Sequence, residues 1–195
     1  MFIFVWLKII TVEKLIKALT ELEKLKTVER GTQVNGRKES TAEHSWSCIL
    51  IADILIDYIE EPLDRLKIIE YLIYHDIVEI YAGDAKFNDP VQMKLKHAKE
   101  AEAFEKIMSI IPNAERFSAI LNSYEQRVTR ESQFAKAVDC LDSCIRNLND
   151  DSKTSSDGFT EKLIREKYLP HVSQFKVTLE LYEILMEKLR TANKL

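Results

Sequence analysis

The chain predicts an all-α fold, and three observations carry that prediction. Past the first ten positions, apolar residues recur at helical spacing almost everywhere, with no sustained alternation. Only four glycines and four prolines punctuate 195 residues. Helix-start patterns recur, as in Ser40-Thr41-Ala42-Glu43 and Asp89-Pro90-Val91-Gln92. The length suits one domain spanning residues 1–195. A chain of that size buries roughly 70% of its unfolded surface, so neither disulfides nor a metal is needed merely to fold.

The elements follow in order. Thr11 caps a first helix to about Lys26, with Val12, Leu15, Ile16, Leu19, Leu22 and Leu25 on one apolar face. Thr27 to Glu39 is polar, contains Gly31 and Gly36, and reads as a loop. The capping box at Ser40 opens a second helix with His44 in its first turn. Glu61-Pro62 starts a third, which carries His75-Asp76 near its end before Gly83. A fourth helix runs from Asp89 to about Ile110, a fifth follows Pro112 to about Arg127, and a sixth spans Thr129 to Asn149. Asp150 to Gly158 reads as a polar loop. The last helices span about Phe159 to Leu189, broken near Leu169-Pro170, and pack on a motif-bearing core of about 25–149.

Composition excludes several functions. The net charge is −4, so no basic excess points to a nucleic acid polymer or an anionic membrane surface. Three cysteines without a close-spaced framework indicate a reducing, cytoplasmic setting. The apolar run Met1 to Ile10 is too short to cross a bilayer as a helix and lacks a basic n-region. It reads as core or subunit-interface packing.

Chemistry concentrates at His75-Asp76, which interrupts the apolar stretch Leu66 to Ile80. Burying such a pair is costly without compensation, and a divalent cation compensates well because imidazole nitrogen and carboxylate oxygen are its natural ligands. His44 upstream and Asp139 downstream, each on a predicted helix, supply further ligands, with Asp142 a competing choice to Asp139. Adjacent residues on an ideal helix diverge by about 100°, so His75 and Asp76 meet one ion only if it sits beside a helix end. Glu79 lies four residues after His75 on the same face, and Asp84 follows Gly83. Both suit acid/base or ligand-orienting roles.

The ordered set His44, His75-Asp76 and Asp139 resembles the HD-domain superfamily of metal-dependent phosphohydrolases. The resemblance is nearest to the compact branch of YfbR-like 5′-deoxyribonucleotidases. It rests on three runs: Arg37-Lys38-Glu39-Ser40-Thr41-Ala42-Glu43-His44-Ser45-Trp46, His75-Asp76-Ile77-Val78-Glu79-Ile80-Tyr81-Ala82-Gly83-Asp84, and Glu131-Ser132-Gln133-Phe134-Ala135-Lys136-Ala137-Val138-Asp139-Cys140-Leu141. It covers roughly Leu25 to Asn149 and implies an HD-domain helical bundle. It also implies that His44, His75, Asp76 and Asp139 bind one divalent cation, whether Mn, Co, Fe, Ni, Zn or Mg. Glu79 then stands near the attacking water, with Asp84 a further active-site carboxylate. Arg30 and Arg37 are the candidates for holding phosphate, since guanidinium pairs with phosphate oxygens in a bidentate way. One departure stands out: well-known nucleotidase members have Arg-Trp where this chain has Arg30-Gly31. That tryptophan is implicated in sugar discrimination, so strict deoxyribose preference does not carry over.

The expected function is therefore a phosphomonoesterase acting on (deoxy)nucleoside 5′-monophosphates, with water drawn from the metal, in a homo-oligomer such as a dimer. The alternatives are another phosphoester, such as a triphosphate or dinucleotide, and a non-catalytic nucleotide-sensing metal protein. The remaining candidates read as structure. His97 falls on a charged helix face and His171 follows Pro170 at a helix start. Cys48, Cys140 and Cys144 read as buried thiols. No P-loop, dinucleotide fingerprint or Gly-x-Ser-x-Gly elbow occurs.

Overall fold

The computed structural model describes residues 12–85, 89–152 and 160–195, and nearly all of its regular structure is helical. The elements are α1 (Val12–Leu22), β1 (Glu29–Val34), β2 (Arg37–Ser40), α2 (Thr41–Leu55), α3 (Arg65–Tyr74) and α4 (Glu79–Ala82). They continue as α5 (Pro90–Ile110), α6 (Ala114–Gln126), α7 (Arg130–Asn149), α8 (Glu161–Val172) and α9 (Lys176–Thr191). This is the expected all-α bundle. The run Met1 to Ile10, the cap at Thr11 and a helix start at Phe159 lie outside the described residues, as does most of the predicted loop 150–158.

Local chemistry sets the boundaries. Ser40 accepts from the Glu43 amide and Glu43 reaches back to the Ser40 amide, a capping box worth about 1 kcal/mol at the start of α2. Asp89 caps α5, and Thr129 caps α7 through a reciprocal pair with Ser132. The third helix starts at Arg65 rather than near Pro62, because Asp64 accepts from the Lys67 amide at 3.2 Å. Glu61 is instead bound to Arg130 across the fold. Likewise α8 continues through Pro170 to Val172, where the Ser173 amide still reaches the Leu169 carbonyl at 3.1 Å. The break comes at Phe175, which starts α9.

The predicted loop before His44 is a β-hairpin. Asn35 and Gly36 both have positive φ, 51° and 77°, the two-residue Asn-Gly turn whose twist suits paired strands. Its register is irregular: β1 advances from Glu29 to Gln33 while β2 advances only from Lys38 to Ser40. Such bulges re-aim side chains. The hairpin is also tied to the far end of α7. The Gln33 amide donates to Asp150 Oδ2 at 2.8 Å, and Lys194 Nζ donates to the Leu148 and Asp150 carbonyls at 2.8 Å each.

Two apolar cores form. The larger joins α2, α3, α7, α8 and α9 around Leu72, Phe134, Val138, Leu141, Tyr182 and Met186, all essentially inaccessible. The smaller groups Leu25, Ile77, Ile107, Ile111, Phe117 and Leu121. Tyr74, the last residue of α3, packs against both. The His-Asp pair that follows it therefore sits at the seam between the cores. On α1 only Ala18 is buried, whereas Val12, Leu15, Ile16 and Leu19 face outward. Among the described residues no helix is long and apolar enough to cross a membrane.

Candidate metal centre

Helix α3 stops at Tyr74, and the chain continues in short-range turns: the Ile77 amide bonds to Tyr74 O at 3.0 Å and Glu79 to Asp76 O at 3.0 Å. This end lets His75 and Asp76 converge, as an unbroken helix would not. His44 enters from α2 and Asp139 from α7. Their donor atoms meet closely: His44 Nε2 lies 3.2 Å from His75 Nε2, 3.1 Å from Asp139 Oδ1 and 3.5 Å from Asp76 Oδ2. His75 Nε2 lies 3.1 Å from Asp76 Oδ2. Ligands about 2.1 Å from one ion stand roughly 3.0 Å apart in octahedral and roughly 3.4 Å apart in tetrahedral geometry, so the spacing fits a single cation.

The imidazoles are oriented for that task. His44 Nδ1 lies 2.6 Å from Asp142 Oδ2, and His75 Nδ1 lies 3.0 Å from the Leu72 carbonyl. With both Nδ1 atoms donating, both Nε2 atoms face the cluster, the arrangement by which partners fix a ligating histidine. Asp142 also accepts from Ser47. Asp142 is thus an orienting carboxylate behind the cluster. Its position one turn from Asp139 was the available signal.

Cys48 also falls within this group, with donor atoms of His44, Cys48, His75 and Asp139 all inside 4.8 Å. Its sulfur is nearly equidistant from the two His44 nitrogens, 3.6 and 3.7 Å, and therefore lies against the ring face, off the line of either lone pair. Burial pushes its thiol up to about 12, so the thiolate a metal needs is disfavoured.

Charge in the cluster is balanced internally. Burial is the largest influence on Asp76 and Asp139 and raises both, but the cationic and donor groups around them together outweigh it, His75 and His44 at the first and Lys136, His44 and His75 at the second, so both carboxyls titrate below their usual range. Lys136 Nζ lies 2.7 Å from Asp139 Oδ2. Burial and Arg30 push His44 down, yet its hydrogen bonds to Asp139 and Asp142 help carry it well above the ordinary imidazole value. A proton and a cation compete for the same Nε2 lone pair.

A cavity of about 240 Å³ opens over the cluster, lined by Arg30, Asp76, Glu79, Asp84 and Asp139 together with Lys136. Burial, then Asp76 and Asp84, raise the Glu79 carboxyl well above its usual range, and Thr41 Oγ1 donates to it at 2.8 Å. Gly83, with φ 74° and ψ 159°, adopts a backbone conformation essentially reserved for glycine. It turns the chain so that Asp84 accepts from the Gly31 amide at 3.2 Å.

The two candidate arginines part company. Arg30 lies in the bulged part of β1 and reaches inward, with Nη1 3.5 Å from Asp76 and Nε 3.5 Å from Glu39. That Nε is buried without a hydrogen-bond partner among the described residues. Arg37 is not brought to the cavity. It points outward from β2 and holds Glu43 with contacts of 2.9 and 2.5 Å. His171, read from sequence as local structure, lines the cavity from α8.

A fold of this shape, with a His, a His-Asp pair and an Asp on three helices around one point, defines a class. The chain belongs to the HD domain family, whose profile matches residues 22–172. Among curated proteins it is similar to the 5′-deoxynucleotidase HDDC2 of Homo sapiens, 28% identical over 108 residues, covering 55% of this chain and 51% of that protein. It is also similar to the 5′-deoxynucleotidase YGK1 of Saccharomyces cerevisiae, 30% identical over 107 residues, with coverage of 52% and 48%. The chain spans about half the length of the curated relatives it matches. Among solved structures, it superposes on a predicted metal-dependent phosphohydrolase from Magnetospirillum magnetotacticum. The TM-score is 0.78 and the identity 27%, over 93% of this chain and 94% of that one. An HD-domain phosphohydrolase from Listeria innocua, 18% identical with a TM-score of 0.60 over 90% and 84% of the chains, shares the fold.

Proposed function

We propose that this chain is a metal-dependent phosphomonoesterase that releases inorganic phosphate from nucleoside 5′-monophosphates. The convergence of His44, His75, Asp76 and Asp139, with both histidines held by Nδ1 partners, is the observation that carries the reading. The names of the relatives support the same substrate class. A divalent cation held by these four residues would acidify a water and polarise a phosphoryl oxygen. The protein's share is positioning and charge. Arg30, whose Nε makes no hydrogen bond and only a 3.5 Å ion-pair contact with Glu39, is suited to a phosphate oxygen. Glu79, its carboxyl raised by burial and by Asp76 and Asp84, is the group to hold or move a proton, and Thr41 fixes its orientation. Asp84, anchored by the Gly31 amide, completes the acidic wall. Position 31 offers no side chain where well-known nucleotidase members carry a tryptophan, so strict deoxyribose preference is not part of this reading.

The test is phosphate release, read by malachite green, from ribo- and deoxyribonucleoside monophosphates with manganese, cobalt, magnesium or chelator. Turnover should vanish with chelator and fall at least a thousandfold in Asp76→Ala. Orthophosphate from both sugars is the expected product. Triphosphate release, or turnover that survives Asp76→Ala, would overturn the reading.

We also infer a cytoplasmic homodimer. Support comes from three unpaired buried cysteines and from the outward apolar faces of α1 (Val12, Ile16, Leu19) and α2 (Trp46, Leu50, Ile54). Light scattering at micromolar concentration returning a monomer would contradict the dimer.

A further inference from the structure

The cavity over the cluster does not end there. A second lobe of about 370 Å³ shares Asp76, Met93, Lys96 and Lys136 with the first and runs outward between α5 and α6. Both lobes mix ionisable and apolar groups, but only the larger carries a continuous run of carbon side chains. Away from the shared residues, the smaller is walled mainly by ionisable groups, including Arg30, Glu79, Asp84, Lys167 and His171. The larger also has ionisable groups, His97, Glu100 and Glu125 among them, but adds Val78, Phe104 and Leu121 as an apolar wall alongside Asn122 and Arg127. Only the larger falls in the roughly 300–1,000 Å³ range of small-molecule sites, and an apolar wall with a few placed polar groups is their usual make-up.

Arg127 is the informative residue. It ends α6 in the left-handed region, with φ 53°. Its guanidinium sits 3.9 Å over the Tyr124 ring, and that ring meets His75 edge-on at 5.6 Å. Arg127 is therefore one aromatic ring removed from the metal centre. Its Nε and Nη1 are buried without a hydrogen-bond partner among the described residues, and its nearest carboxylate, the exposed Glu125, is 4.0 Å from Nη2. Buried donors are almost always paired, so unpaired ones at a cavity wall ask for an acceptor from a bound molecule.

We propose that this lobe receives the nucleobase of the substrate and that Arg127 reads its acceptor edge, favouring a 6-oxopurine. A second phosphate fits poorly. Glu100 and Glu125 also line the lobe, Lys96 pairs with Glu100 at 3.4 Å, and Lys136 is committed to Asp139 at 2.7 Å. A neutral heteroaromatic ring fits better. A 6-oxopurine offers N7 and O6, the acceptor pair arginine most often reads in guanine. Phe104 and Leu121 supply the apolar surface against which the ring packs.

The inference rests on the phosphomonoesterase reading, so its test separates the two. The full chain with manganese is assayed on guanosine 5′-monophosphate, cytidine 5′-monophosphate and ribose 5-phosphate, which lacks a base. Wild type should prefer the guanosine ester. Arg127→Gln should raise its KM roughly tenfold while leaving ribose 5-phosphate within about twofold. Phe104→Leu, which keeps the core filled, should act in the same direction. Equal losses on both esters would mean that Arg127 acts through Tyr124 on the metal centre, and would overturn the assignment. So would an unchanged guanosine preference in Arg127→Gln. Calorimetric binding of guanosine tests the lobe without turnover. Binding that Arg127→Gln weakens supports it even if no ester is hydrolysed, and no binding at millimolar guanosine overturns it.

Discussion

Charged side chains meet in two regions on opposite terms. Where α2, α3 and α7 cross, His44 and Asp142 are almost completely buried, and Asp139 and Asp76 are only 14 and 21% exposed, each group leaning on the next. On the outer face of α8 and α9, Glu161 bonds Arg165 Nε and Arg190 Nη2 at 2.9 Å, and Arg165 bonds Glu183 at 2.8 to 2.9 Å. These side chains are 32 to 46% exposed. Both regions look equally ionic as a catalogue of contacts. Water can replace any partner in the second region and few in the first, so the same deletion has different consequences.

The largest contrast should come from the packing beneath the buried region. Phe134 is inaccessible and meets Phe175 edge-on at 5.3 Å, linking α7 to the α8–α9 arm. Phe134→Ala is expected to cost about 3–5 kcal/mol in urea unfolding. A loss below about 1 kcal/mol would mean that the crossing is not packed as described.

Asp142→Ala sharpens the comparison at the centre. It removes the partner that fixes His44 and strips Ser47 of its acceptor. Metal affinity, measured by competition with a chelator, should fall by about 10–100-fold. Unchanged affinity would reduce Asp142 to a structural residue.

Proton competition gives the next effect. Because His44 titrates well above the ordinary imidazole value without a cation, metal must displace its proton. Affinity should therefore rise with pH, by up to about tenfold per unit between pH 6 and 8, and titrations in buffers of different ionisation enthalpy should report proton release. A flat profile would show that His44 is already neutral in the metal-free protein.

Glu161→Gln should do least. Hydrogen bonds from Arg190 and Arg165 hold the Glu161 carboxyl down at about 2, from an ordinary 4.5. A depressed pKa means that the stabilisation is present above the ordinary value and lost as pH falls through about 2. Melting should show a slight decrease at pH 7 and none near pH 2. A drop at pH 7 matching Phe134→Ala would erase the distinction between the two regions.

What the sequence disclosed follows the same division between local and distant causes. Helices α2, α5 and α7 were legible because their caps and apolar periods are local. The His44, His75-Asp76, Asp139 order was legible as a resemblance, and the end of α3 at Tyr74 explains how neighbours 100° apart on a helix can converge. The hairpin was not legible from strand alternation, since Glu29-Arg30-Gly31-Thr32-Gln33-Val34 has none. Its one local signal was Asn35-Gly36. Arg30 and Arg37 could not be separated in sequence, because the bulge and strand face that turn one inward and one outward arise only on pairing. Asp142 and Arg127 gained their roles from contacts with groups far along the chain or across a cavity.

The bond from the Gln33 amide to Asp150, and from Lys194 to the carbonyls beside it, has a consequence for motion. Surface hairpins commonly open alone, well below the free energy of global unfolding. This one is latched at its tip side to the end of α7, which Lys194 in turn holds from beyond α9. Hydrogen exchange at Gln33 should therefore follow release of that latch, and a modification at Lys194 would be felt as a change in how long Arg30 stays over the metal centre.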